Sequence, residues 1–79
     1  MSYIFSLHAS IQIKQRCINE EEVINCIKHP DSSEKQEEIK TAKKIRQNGQ
    51  LLMVFYTLKN NFILIITVIS TSKLKKYLS

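Results

Sequence analysis

His8 is the side chain near the start of this 79-residue chain that can move a proton near neutral pH. Arg16 follows eight residues later. On a helix that spacing is about two turns, which puts the two on nearby faces. An imidazole beside a cation can serve as general base or acid, and a guanidinium can grip a phosphate through paired hydrogen bonds. A lone histidine is nevertheless more often a surface or structural group. Lys40, Lys44 and Arg46 form a second set, alternating with small Ala42 along one side of an extended segment. Such a row can hold a backbone phosphate and stabilise charge developing on it. The plainer reading is a solvent-facing strand whose lysines discourage edge pairing. The third set is Thr67, Thr71, Ser72, Lys73, Lys75, Lys76 and Tyr77. It interleaves hydroxyls, cations and a ring that can stack on a base. Thr71 and Lys73 adjoin a central strand; Lys75 and Lys76 also suit a solvated basic tail.

Other chemistries find little support. His8, Cys17, Cys26 and His29 are four potential metal ligands, but no Cys-x-x-Cys pair is present. No metal site is expected, and both cysteines read as small buried hydrophobes. The only glycine, Gly49, sits in a turn, so no phosphate-cradling loop exists. No serine has a nucleophile-elbow context. No cofactor is implied.

The elements that must position these residues follow from periodicity. Residues 7–16 read as a helix with Ser6 as N-cap, and a short strand at Tyr3–Phe5 can precede it. Leu7 and Ile11 form one apolar row, with Ala9, Ile13 and Cys17 beside it. Asn19 opens a second helix in a relaxed capping box with Glu22, and Pro30 ends it. Residues 31–36 read as a polar loop. From about Glu38 the period becomes two, with Lys40, Ala42, Lys44 and Arg46 on one face and Ile39, Thr41, Lys43 and Ile45 on the other. Asn48-Gly49 predicts a type I′ hairpin turn. Leu51–Leu58 and Phe62–Ser70 read as central strands, apolar on both faces, joined by a tight turn at 59–61. Residues 71–79 read as a basic polar tail. The expectation is one α+β domain over residues 1–79: two N-terminal helices packed on a small antiparallel β-meander.

Charge is unevenly distributed. All seven acids lie between Glu20 and Glu38, a segment of net charge −5, whereas residues 39–79 carry +8 and no acid. Such a field attracts polyanions and acidic partner segments. The start lacks the basic and long apolar regions of a secretion signal. The longest apolar run, Phe62 to Ile69, is far short of the roughly 20 residues of a spanning helix. Two cysteines do not make a disulfide framework. A cytoplasmic protein with reduced thiols, away from membranes, is expected.

Several short motifs, in order, resemble a known family. They are Phe5-Ser6-Leu7-His8-Ala9, Arg16-Cys17-Ile18-Asn19-Glu20-Glu21-Glu22-Val23 and His29-Pro30-Asp31 in the front half. The back half adds Gly49-Gln50-Leu51-Leu52-Met53-Val54, Ile66-Thr67-Val68 and Thr71-Ser72-Lys73-Leu74-Lys75-Lys76-Tyr77. Together they are similar to the family called domain of unknown function 4258, grouped with the RelE/ParE-like and BrnT-like toxins. The resemblance implies a RelE-like fold and a metal-independent ribonuclease-like activity, often as the toxin of a toxin–antitoxin pair. By position, the family's helix histidine matches His8, its second basic helix residue Arg16, and its terminal Thr-Ser-Lys matches Thr71, Ser72 and Lys73. Two positions depart from the pattern. Gln12 stands where the family commonly has Arg, and Cys17 where it commonly has Gly.

The leading expectation is therefore a toxin-like RNA endonuclease in which an RNA 2′-hydroxyl attacks the adjacent phosphate. His8, Arg16, Thr71 and Lys73 would be catalytic. Lys40, Lys44, Arg46, Lys75 and Tyr77 would bind RNA. An acidic antitoxin segment could mask the basic face by adding a strand or laying a helix across it. The alternative is a non-catalytic RNA- or protein-binding module of the same fold. A third reading is a homodimer formed through the doubly apolar strands.

Overall fold

A computed structural model describes residues 2–78, with the backbone alone at Leu78. The order is β1 (Ser2–Phe5), α1 (Leu7–Gln15), α2 (Glu20–Lys28), β2 (Ser32–Gln36), β3 (Ile39–Ile45), β4 (Leu51–Leu58), β5 (Phe62–Thr71) and α3 (Leu74–Leu78). The α+β class is as the periodicity predicts. The sheet is larger and differently wired. Its five strands run β1-β5-β4-β3-β2, and β1 pairs parallel to β5, so the sheet is mixed. Residues 32–36, expected as loop, form an exposed edge strand paired with β3. Five exposed polar residues carry no periodic signal, and only the β3 partner reveals the strand. The tail, too, contains a one-turn helix.

Local chemistry explains how the helices start and stop. Ser6 Oγ accepts the Ala9 N–H at 3.0 Å and caps α1. At the other end Cys17 adopts φ +55°, the Ile18 N–H bonds the Ile13 carbonyl at 2.8 Å, and the Cys17 N–H bonds that of Lys14 at 3.4 Å. This is a Schellman closure with Cys17 in the left-handed position that glycine normally takes. Asn19 caps α2 by accepting from the Glu21 N–H at 2.7 Å, and the expected reciprocal bond from Glu22 does not form. The Glu22 carboxylate is drawn instead to Arg46 on the sheet, at 2.7 Å.

The hairpins are also instructive. Gly49 has φ +86° but Asn48 does not share a positive φ, so the β3–β4 turn is not type I′. The Gly49 N–H bonds the Arg46 carbonyl and the Arg46 N–H bonds that of Gln50. The loop is the three-residue kind, Gln47-Asn48-Gly49, with glycine in the left-handed position before the strand resumes. In the β2–β3 turn Glu37 takes φ +58°.

Both helices cover one face of the sheet. Ala9, Ile13, Ile18, Val23 and Cys26 meet Ala42, Leu52, Val54, Tyr56, Ile63, Ile65 and Val68 in one apolar cluster. Only one of the two expected rows of α1 is in it: Leu7 is 79 % exposed and Ile11 46 %, and Cys17 is exposed. A β-bulge opposite Phe55/Tyr56 leaves Ile66 as the extra residue of β5. Beyond it β1 has ended, and α1 completes the outer edge of β5. Ser6 Oγ donates to the Ile66 carbonyl at 2.9 Å, Gln12 Oε1 accepts the Val68 N–H at 2.8 Å, and Arg16 Nη1 reaches the Ser70 carbonyl at 3.4 Å. Three side chains thus satisfy the alternating groups a sixth strand would have paired.

Candidate nucleic-acid interface

The far end of β5 gathers charge. Arg16, at the C-cap of α1, reaches the carbonyl of Ser70, and Arg46, just past β3, donates Nη1 to the Ser70 hydroxyl at 2.9 Å. Ser70 Oγ in turn donates to Gln50 Oε1 at 2.6 Å. Two guanidinium groups thirty residues apart therefore meet at one residue. Arg46 is neutralised by Glu22, whose carboxylate accepts from its Nε at 2.7 Å and Nη2 at 3.2 Å. The Arg16 side is exposed, and its single long bond engages one of five N–H donors.

Thr71 and Lys73 follow at this same strand end. Thr71 pairs with Leu51, and its Oγ1 accepts the Lys73 N–H at 3.1 Å. Strand alternation directs Thr71 to the face away from the helices, whereas Ser70 faces them. Lys73 is exposed. His8 is exposed in the first turn of α1, about 12 Å along the axis from Arg16. It lies on the same side of the helix as Gln12 and Arg16, at i, i+4 and i+8, but not within the arginine pair.

The row of Lys40, Ala42, Lys44 and Arg46 shares one face of β3, and that face is the one under the helices. Ala42 is fully buried. Lys44 Nζ donates to the His29 carbonyl at 2.8 Å, where the negative end of α2 favours a cation, and lies 3.9 Å from Asp31. Lys40 stands at the other end of β3, between Lys35 and Tyr56. On the opposite face Lys43 is only 6 % exposed; its ammonium binds Glu34 and the Tyr77 carbonyl, both at 2.9 Å. It thereby ties α3 to the sheet. Lys75 is exposed on that helix, and half-buried Tyr77 has the Lys76 ammonium 5.5 Å from its ring centre.

These pairs explain the uneven charge of the sequence. Glu22, Asp31 and Glu34 all come from the acidic segment, and each meets a cation of β3 or the residue after it. Part of the apparent basic field is consumed in closing the fold. Spacing could not reveal this, nor the roles of Ser70, Gln50 and Gln12, because those bonds are made between distant parts of the chain. Lys43 did leave a signal, as the one charge in a row otherwise made of Ile39, Thr41 and Ile45.

Cys26 is buried and its thiol donates to the carbonyls of Ala42 (3.6 Å) and Leu52 (4.0 Å). Burial pushes its pKa up to about 12, against a smaller opposing pull from Lys44. Such a thiol is an inert packing group. Among the described residues no three His, Cys, Asp or Glu side chains gather as a metal site. No helix among them is long and apolar enough to cross a membrane.

A small α+β domain with two arginines gathered at one end of a mixed sheet is the class these features define. The model of the family described as Domain of unknown function (DUF4258) matches residues 5–70, and the chain belongs to that family. No curated protein and no solved structure matches it.

Proposed function

We propose that the protein binds the RNA backbone at the far end of β5, as a non-catalytic module. The observation that carries this reading is the meeting of Arg16 and Arg46 at Ser70. An incoming phosphate would take the unused donors of Arg16, the one of the two guanidinium groups not already paired with a carboxylate. Lys73 adds charge at the same end. RNA rather than duplex DNA is favoured because, among the described residues, the helix that follows β5 at this end, α3, is a five-residue turn, too short to read a major groove. An acidic antitoxin segment would compete for the same groups.

The ribonuclease-toxin reading has one observation in its favour. His8 is exposed on the side of α1 that carries Arg16, so a strand held at Arg16 can run along the helix past the imidazole. One titration separates the two. Affinity for single-stranded RNA is measured at about 50 and 200 mM salt, with product followed on a gel, for the wild type, Arg16→Ala, Lys73→Ala and His8→Ala. We expect affinity to fall steeply with salt and each cation removed to flatten the slope by about one. Product that disappears in His8→Ala would replace the binding reading by the ribonuclease one. Absence of binding at the lower salt would end both.

A further inference from the structure

Beside the arginine pair lies a groove of about 530 Å³ between α2 and the β3–β4 hairpin. Glu22 and Asn25 form one wall, Lys44 and Arg46 the other, Gln47 and Asn48 the lip, and buried Leu52 the floor. The volume is within the roughly 300–1,000 Å³ of ordinary ligand clefts. Its chemistry is unlike that of the rim. Glu22 and Arg46 neutralise each other, and Lys44 is engaged by the His29 carbonyl at 2.8 Å with Asp31 3.9 Å away. What remains is a set of carboxamides: among the described residues the side-chain amides of Asn25 and Gln47 have no partner, and Asn48 uses only its oxygen, accepting the Gln50 N–H at 2.9 Å.

We propose that this groove receives a base of the bound RNA. The proposal rests on the reading of the rim as an RNA phosphate site, and Arg46 joins the two, since it both lines the groove and donates to Ser70. A carboxamide presents a donor and an acceptor side by side, which matches the edge of a nucleobase and reads its identity. The guanidinium of Arg46, a planar group in the same lining, is one on which a base's face can stack. A phosphate would find Arg46 already paired with Glu22 and Lys44 held at the His29 carbonyl beside Asp31, and a metal ion would find only the one carboxylate of the lining. The groove therefore supplies base selectivity, and the rim supplies salt-sensitive affinity.

The test uses the full chain and 2′-O-methyl oligonucleotides, which cannot be cut by attack of their own 2′-oxygen. Oligo(A), oligo(C) and oligo(U) of equal length are compared with an abasic chain. Asn25→Ala/Gln47→Ala changes two exposed side chains, so a melting curve like the wild type's is expected. We expect the wild type to prefer one base, and the double variant to lose about tenfold on that oligomer while holding the abasic chain unchanged. Arg16→Ala should weaken all four ligands alike. Equal affinity of the wild type for the three oligomers, or a double variant that still discriminates, would overturn the groove assignment while Arg16→Ala leaves the rim standing. If even the abasic chain fails to bind at low salt, the RNA reading falls and the groove assignment with it.

Discussion

The two faces of β3 are built by different rules. The row toward the helices is Lys40, Ala42, Lys44 and Arg46, and the row away from them is Ile39, Thr41, Lys43 and Ile45. Simple patterning would put the isoleucines under the helices. The reverse holds because α2 crosses β3 over Ala42, whose small side chain lets Cys26 reach the Ala42 carbonyl, and the two cations that follow, Lys44 and Arg46, reach polar groups at the end and the start of α2. On the other face, among the described residues, the only helix is the one-turn α3 that Lys43 holds. Ile39 and Ile45 stay about 40 % exposed, while Leu51 and Met53 of β4 are buried beside Lys43. The helix side is thus a continuous apolar core with an ionic margin; the opposite side is a partly covered apolar surface pinned by one buried ammonium. This difference bears on the dimer reading, since a second copy would have to cover the isoleucines of the open side.

The largest effect should separate the faces directly. Leu52 is 1 % exposed and lies in the helix-side cluster. Leu52→Ala should cost about 3 kcal/mol, through lost transfer energy and the cavity left behind. Ile45→Ala, on the open face and 41 % exposed, should cost under about 0.5 kcal/mol. Urea midpoints at constant slope measure both. Comparable losses would mean that the open face is covered in solution, and a concentration-dependent midpoint for the wild type would identify a second copy as the cover.

Next in size is a pH effect confined to the helix side. Cys26 titrates near 9.0 in its ordinary state and near 12 when buried in the fold. Below pH 9 both states hold the proton and this thiol makes stability independent of pH. Between pH 9 and 12 the unfolded chain releases a proton that the folded one keeps, so stability falls as pH rises, by about 1 kcal/mol per unit. Tyr56, raised by burial as well, adds to the fall from about pH 10 upward. Comparing melts at pH 8 and 10.5, Cys26→Ala should show a shallower decline than the wild type. An unchanged decline would mean that the core between α2 and the sheet admits water.

The contrast between faces also marks what the sequence can convey. The two caps at Ser6 and Asn19, the central strands and the period-two alternation of β3 were legible because each is written within a few neighbouring residues. β2 was not, since Ser32–Gln36 is polar throughout and owes its form to pairing with β3. The parallel β1–β5 pair joins residues sixty positions apart. The same limit applies to the candidate site. Arg16 and Arg46 could be named, but their convergence at Ser70 could not. Lys44 and Arg46 also read as solvent-facing, because alternation specifies which residues share a face and is silent on which face the helices choose. Leu7 and Ile11 misled for a related reason: an i, i+4 apolar pair looks like a core row whether or not anything packs on it.

The smallest effect tests whether strain is stored on one side only. Cys17 closes α1 at φ +55° so that Ile13 and Ile18 can both enter the helix-side core. Glu37 holds φ +58° in the β2–β3 turn, at the open margin of the sheet. A side chain in the left-handed region costs about 1 kcal/mol or somewhat more, and glycine there gives back part of that gain through its greater freedom when unfolded. Cys17→Gly and Glu37→Gly should each stabilise by about 0.5 kcal/mol and raise the melting temperature by about 3 °C. Equal gains would show that both turns carry a purely local backbone cost, independent of the layer above them. A gain at Glu37 with none at Cys17 would mean that the Cys17 side chain contributes packing of its own at the end of α1, next to the Arg16 guanidinium, and that the helix side is more tightly specified there than its exposed position suggests.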